Sequence, residues 1–167
     1  MPSNYRLIAL LDVEGKGYAT NLLLELETWV QSNNILPPFQ TGFRPMASTI
    51  DNIIALSYLA YQASLPRKRP LFSCFIDYSA AFDLVVREIL WKKLVNWGIP
   101  NKLLNAIISL YSNTWVRVKL DKFHMTLPIQ TLRGLKQGCV LAPLLFNLYT
   151  ADLGSALGGT GLLIPKL

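Results

Sequence analysis

LFSCFIDYSAAFDLVVREILWKKLVNWGIP, residues 71–100, contains an abrupt change of pattern. Residues 71–77 are short, apolar and aromatic between Pro70 and a polar turn, as expected of a buried strand. From Ser79 to Trp97 the spacing turns helical, with Phe82, Val86, Ile89, Leu90, Leu94 and Trp97 on one stripe, and Gly98 followed by Pro100 closes it. The stretch predicts a strand feeding a helix through Asp77. Pro100 is suited to open the next helix, because its missing N–H would be unsatisfied there in any case; Leu103, Leu104, Ile107, Ile108 and Tyr111 supply the buried face.

Downstream, WVRVKLD at 115–121 alternates apolar and polar residues and MTLPIQTLRG follows after a DKFH turn, which predicts a β-hairpin. RGLKQGCVLAPLLFNLY at 133–149 reads as a glycine-rich turn and then a helix from about Leu141, with Pro143 in its first turn and Leu144, Leu145, Leu148 and Ala151 along it, ending by Gly158. Upstream, YRLIALL at 5–11 is a candidate short strand, followed by a helix from about Tyr18 to Gln31 that ends before Asn33, Asn34 and the Pro37-Pro38 pair. In STIDNIIALSYLAYQAS at 48–64, Ile50, Ile53, Ile54, Tyr58 and Tyr61 recur at helical spacing, Ser48 or Thr49 can cap the first turn, and Pro66 stops the helix. The expected class is α+β, with helices packed on a small antiparallel sheet.

A chain of 167 residues with 51% hydrophobic content has the size and apolar content of one packed domain. Only 16% of the residues are charged and mean hydropathy is +0.32, which argues against disorder. Charges, Pro or Asn interrupt every apolar run short of the roughly 20 residues a membrane span needs. The N-terminus shows no secretory pattern, so an intracellular location, nuclear or cytoplasmic, is expected. Cys74 and Cys139 have no metal-ligand spacing and read as free thiols. Residues 1–86 hold six Lys/Arg against seven Asp/Glu, and residues 87–167 hold ten against three, so the halves carry −1 and +7. A basic half suits a phosphate-backbone partner, and it equally describes a solvated basic surface.

Taken alone, Asp77 is a strand-end carboxylate or a turn residue, and Phe82 is a core aromatic of the following helix. Asp83 reads as a helix-start residue. Gly134 and Gly138 allow close backbone approach to a ligand and Gln137 offers an amide, although the same stretch reads as an ordinary loop-to-helix junction. Asn147, one turn beyond Pro143, is either a ligand-facing or a structural amide.

Read as whole strings, FIDYSAAFD at 75–83 and GLKQGCVLAPLLFNLY at 134–149 resemble the reverse transcriptases of non-LTR (LINE-type) retrotransposons. NYRLIALLDVEGKGYA and FQTGFRPMASTIDNI resemble two upstream segments of that family, so four blocks stand in the family's order over nearly the whole chain. The resemblance implies a right-hand polymerase arrangement, with fingers over about 1–70 and an incomplete palm over about 71–167. It further implies an RNA template, a DNA primer, deoxynucleotides and a pair of magnesium ions as partners. Asp77 would be the metal-binding catalytic carboxylate, and Phe82 the aromatic that screens the sugar 2′ position. Arg6, Arg44, Gln137, Gly138 and Asn147 would lie at the nucleotide or template; apart from the resemblance, the +7 of residues 87–167 and the alternation of Arg117 and Lys119 on one strand face suggest that these two, with Lys136, meet nucleic acid. Hard cations favour carboxylate oxygens, and a guanidinium suits a polyphosphate.

Four features depart from the family pattern: Leu7 and Val140 stand where proline is usual, Ala142 where serine is usual, and Met46-Ala47 where Gly-Arg is usual. The family also carries a tyrosine-containing hairpin with two adjacent aspartates after this stretch, and the 167 residues contain no such pair. A truncated enzyme fragment, inactive by itself, is therefore the expected function. The alternatives are a non-catalytic nucleic-acid-binding remnant and an unrelated structural α/β domain.

Overall fold

The computed structural model describes residues 8–66, 70–119, 122 and 124–157. Helix α1, Val13–Ser32, begins where the Asp12 carboxylate accepts from the Gly15 N–H at 2.6 Å. It starts five residues before the expected Tyr18, because this cap and tertiary packing outweigh the poor helix propensity of Gly15 and Gly17. Ala19, Leu22, Leu26 and Val30 form its buried stripe. The expected strand at 5–11 falls partly outside the described residues, and over 8–11 the chain is irregular.

Helix α2, Thr49–Ser64, has the predicted bounds. Ser48 Oγ accepts from Ile50 N, Asp51 accepts from Ser48 N at 2.9 Å, and the helix stops at Leu65 before Pro66. Its apolar stripe is not buried: Ile50, Ile53, Ile54, Tyr58 and Tyr61 are 60–62% exposed. The helical period correctly predicted a helix but not a partner for it, and none of its residues enters the core.

The largest departure lies at 71–86. Residues 70–78 form no strand and are exposed, including Phe72, Phe75 and Asp77. An apolar run becomes a strand only where a neighbour takes up its N–H and C=O groups, and the sole strand pairing among the described residues is elsewhere. The next helix, α3, spans Arg87–Asn96 rather than starting at Ser79. Residues 79–84 turn instead, with Ala80 at φ 52° and the Asp83 and Leu84 amides both donating to its carbonyl. The Phe82 and Val85 carbonyls, which a helix would direct to residues 86 and 89, accept from Leu135 N and Gly134 N, both at 2.8 Å. Pairing with a distant loop has displaced the helical bonds.

After Gly98 at φ 78°, α4 runs Asn101–Tyr111 and buries Leu103, Leu104, Ile107 and Tyr111, largely as expected. The hairpin forms but is short: β1, Trp115–Val116, pairs antiparallel with β2, Ile129–Gln130, in the register Trp115 to Gln130, and a single bridge joins Lys119 to Met125. Arg117 therefore lies outside the strand, contrary to the expected alternation along one strand face. Helix α5, Ala142–Thr150, has Pro143 in its first turn as predicted, and the short α6, Leu153–Ala156, follows after a break.

Helix α1 packs on α4, and α3 packs on both α4 and α5. Leu26, Leu90, Leu94, Ile107, Leu145 and Leu148 fill the centre. Burying a leucine contributes about 1.5–3 kcal/mol. The class is thus helical with a small two-stranded antiparallel sheet, but the helices pack on one another rather than on the sheet, whose strands bury no residue. No described helix is long and apolar enough to cross a membrane.

Candidate functional site

The loop at 134–139 begins where Gly134, at φ 86°, crosses the 79–86 turn. A Cβ there would meet the Asp83 carbonyl at 2.8 Å and its Cα at 3.1 Å, so only glycine fits. Two backbone bonds then join the loop to the turn, and Gln137 Nε2 donates to Asp83 Oδ1 at 2.9 Å. Asp83, expected to start a helix, instead fixes the loop's amide side chain. On the other side Ala9 N donates to Gln137 O at 2.6 Å, and a Cβ on Gly138, at φ 97°, would meet Ala9 O at 2.9 Å. Three segments distant in sequence meet at Gln137 and Gly138.

An aromatic cluster extends from the turn. The Phe82 ring stacks on Phe146 of α5 with centroids 5.0 Å apart, and Phe43 meets it edge-on at 6.4 Å. Tyr78 approaches Phe146 edge-on at 6.1 Å. Rings from two other segments fix Phe82 in orientation, each such pair adding about 0.5–1.5 kcal/mol beyond burial. Phe82 is half-buried, so an anchoring role and an exposed ring edge coexist.

Beneath the loop lies a residue that no motif indicated. Arg87, the first residue of α3, is buried and donates Nε to Gly134 O at 2.7 Å, one terminal nitrogen to Tyr111 O and Thr131 O at 3.0 Å each, and the other to Arg133 O at 3.2 Å. Its sequence signal was a charge three residues before Leu90 and seven before Leu94, on the apolar face. Burial lowers its pKa, and the Tyr111 and Glu88 charges oppose the fall. Lys136 Nζ donates to Leu110 O at 2.9 Å, so the side chain expected at nucleic acid is turned inward; burial lowers its pKa as well. Both cations lie over the Tyr111 ring, 5.3 and 5.6 Å from its centre. Burial pushes the Tyr111 hydroxyl well above the tyrosine range, and the Cys139 thiol adds to the rise. That hydroxyl lies beside the Cys139 thiol and the Lys136 backbone, the latter opposing the rise, but meets hydrogen-bond geometry to neither.

The remaining expected residues are more scattered. Asn147 is buried, donates to Gly42 O at 2.7 Å and accepts from Gln40 at 3.1 Å, which ties α5 to the 40–42 loop. Arg44 donates to Pro37 O and Gln40 O and lines a cleft of about 270 Å3 with Glu27, Asn34, Phe43 and Leu144, a set that includes neither Phe82 nor Gln137. Arg117 and Lys119 are exposed on the hairpin. Arg6 lies outside the described residues. Cys74 and Cys139 are free thiols, as expected.

The carboxylates do not converge. Asp77 is exposed ahead of the turn, Asp83 is held by Gln137, and Asp152 pairs with Lys93 at 2.6 Å. Among the described residues no three His, Cys, Asp or Glu side chains could hold one metal ion. Magnesium fills most of its roughly six positions with water and substrate phosphate and needs only one or two protein carboxylates. Asp77 is of the right chemistry, no described cluster of such side chains gathers beside it, and no catalytic step is assigned to a metal.

The loop, the turn and the proline-opened helix carry the two strings that resemble reverse transcriptases, FIDYSAAFD and GLKQGCVLAPLLFNLY. The profile of the reverse transcriptase (RNA-dependent DNA polymerase) family matches residues 1–160, and the chain belongs to that family. Its relatives include RNA-directed DNA polymerases of transposons and mobile elements. It is 31% identical over 152 residues to a probable RNA-directed DNA polymerase from transposon BS of Drosophila melanogaster, covering 91% of this chain and 16% of that protein. It is 30% identical over 159 residues to the RNA-directed DNA polymerase from mobile element jockey of Drosophila funebris, covering 95% and 17%. It is 28% identical over 160 residues to the Pol polyprotein of the type-1 retrotransposable element R2 of Popillia japonica, covering 95% and 22%. The chain thus spans between a sixth and about a fifth of these relatives.

Proposed function

We propose that these residues form the nucleotide-facing fingers-palm framework of a retrotransposon RNA-directed DNA polymerase, one that engages an RNA template and DNA primer but does not polymerise as the isolated 167-residue chain. The observation that carries this reading is the joining of the 79–86 turn to the 134–139 loop through Gly134, Leu135 and Gln137, in a chain of the reverse transcriptase family. Phe82 is the sugar-screening ring, held by Phe43 and Phe146, and the Gln137-Gly138 backbone is the nucleotide platform. Asp77 is the one carboxylate the family resemblance gives to magnesium, and among the described residues no cluster of three acidic, His or Cys side chains forms around it. Phosphoryl transfer depends almost wholly on positioning and charge stabilisation, so an incomplete ligand set removes the rate rather than lowering it slightly.

Nucleic-acid contact is assigned to the hairpin, where Arg117, Lys119, Lys122 and Arg133 are exposed; among the described residues, the one ion pair involves none of them. The test is the affinity for a fluorescent RNA-template/DNA-primer duplex across a salt series. Affinity is expected to fall steeply with salt, and Arg117→Ala with Lys119→Ala should flatten the logarithmic slope by about two. An affinity that does not change with salt would count against the reading.

A further inference from the structure

Helix α4 has no basic residue in its last turn, yet both of its final carbonyls are capped by cations from elsewhere: Lys136 reaches Leu110 O and Arg87 reaches Tyr111 O. Arg87 goes further, since the same guanidinium holds the carbonyls of Thr131, Arg133 and Gly134. It has no carboxylate partner, the only ion pair among the described residues being Lys93 with Asp152. A buried charge without a carboxylate in ion-pair contact is costly, and here four carbonyl dipoles are its direct compensation, with Glu88 acting only beyond ion-pair distance. The bonds therefore depend on the 131–134 backbone keeping this path. Arg87 also comes two residues after Val85, whose carbonyl holds Gly134 N, so turn, loop and α4 end meet on one side chain.

We propose that Arg87 is the positioning residue of the 134–139 loop, holding Gln137 and Gly138 in register with the Phe82 turn, and that it makes no phosphate contact of its own. The claim rests on the proposed reading only in taking that loop as the nucleotide platform. A guanidinium has five donors in a planar fork; an ammonium is a point charge that reaches one or two of the same carbonyls. Arg87→Lys keeps the charge and loses the geometry.

The experiment uses the full chain and its Arg87→Lys and Arg87→Gln variants, followed by amide hydrogen exchange and by the duplex-binding salt series. In Arg87→Lys the Gly134, Leu135 and Cys139 amides are expected to exchange about ten-fold faster or more, while the α1 amides of Leu22–Val30 stay within about two-fold. The salt slope should not change. Exchange that rises equally in α1 and the loop, in both variants, would show a general stability role and overturn the proposal. Unchanged loop exchange would also overturn it, as would a slope lowered by about one, the signature of a lost phosphate contact. If the unsubstituted chain binds no duplex at any salt, the function reading fails, and the exchange comparison still decides the role of Arg87.

Discussion

Tyr111 carries a buried hydroxyl with no hydrogen bond among the described groups, and the two cations beside it meet its ring and, for Arg87, its carbonyl, not its hydroxyl. An unsatisfied buried polar atom costs roughly 1–3 kcal/mol, so Tyr111→Phe, which keeps the ring, should be neutral or stabilising by about 1 kcal/mol in urea unfolding at pH 7. The pH dependence has a definite sign. Burial raises the folded-state pKa of Tyr111, so the unfolded chain ionises first, and stability falls as pH rises above the unfolded value of about 10. Lys136, lowered by burial, opposes this: its contribution rises with pH up to the ordinary lysine range, and it is present in both proteins, so the comparison with Tyr111→Phe isolates the tyrosine. Unfolding scans from pH 9 to 11 should show an alkaline loss of stability that Tyr111→Phe reduces. Equal losses in both proteins would refute the assignment. Gly134→Ala places a Cβ against the Asp83 backbone at positive φ and should cost roughly 1–3 kcal/mol, measured the same way. The glycines were expected to admit a ligand, and they instead admit the Asp83 and Ala9 backbone; the nucleotide roles of Phe82 and Gln137 rest on the family strings and stand as proposals. Arg87 and the Asp83–Gln137 bond were not legible, because local sequence does not show which distant carbonyls a side chain will meet.

Among the elements, α2, α4, α5 and the hairpin follow the sequence because their caps, prolines and periodicities agree locally. The stretch at 71–86 does not, because both of its predicted elements depend on partners: the strand on a neighbour, the helix on carbonyls that the 134–139 loop takes. Helix α2 is the converse case, locally well specified and without buried residues. Ser48→Ala should therefore cost about 1 kcal/mol of helix stability, read as faster exchange of the α2 amides with little change in global unfolding. Because Ile54 is 61% exposed, Ile54→Glu should leave the unfolding midpoint within about 0.5 kcal/mol and raise solubility; a large loss of stability would show that the stripe is covered.

At the scale of the molecule, one helical core carries a loop, a turn and an aromatic cluster that tertiary contacts align, with a basic hairpin to one side of the sequence's charge distribution. Family membership was legible because four ordered blocks survive across 160 residues. The helix-on-helix packing was less so, because periodicity identifies a buried face without naming what buries it. The proposal is that this chain carries the framework of a reverse transcriptase site, with no cluster of metal-binding side chains among its described residues. Primer extension tests it most directly: the 167-residue chain and its Asp77→Ala variant are incubated with an RNA template, a DNA primer, magnesium and deoxynucleotides. No incorporation above background is expected from either protein. Incorporation by the unsubstituted chain that disappears in Asp77→Ala would contradict the proposal.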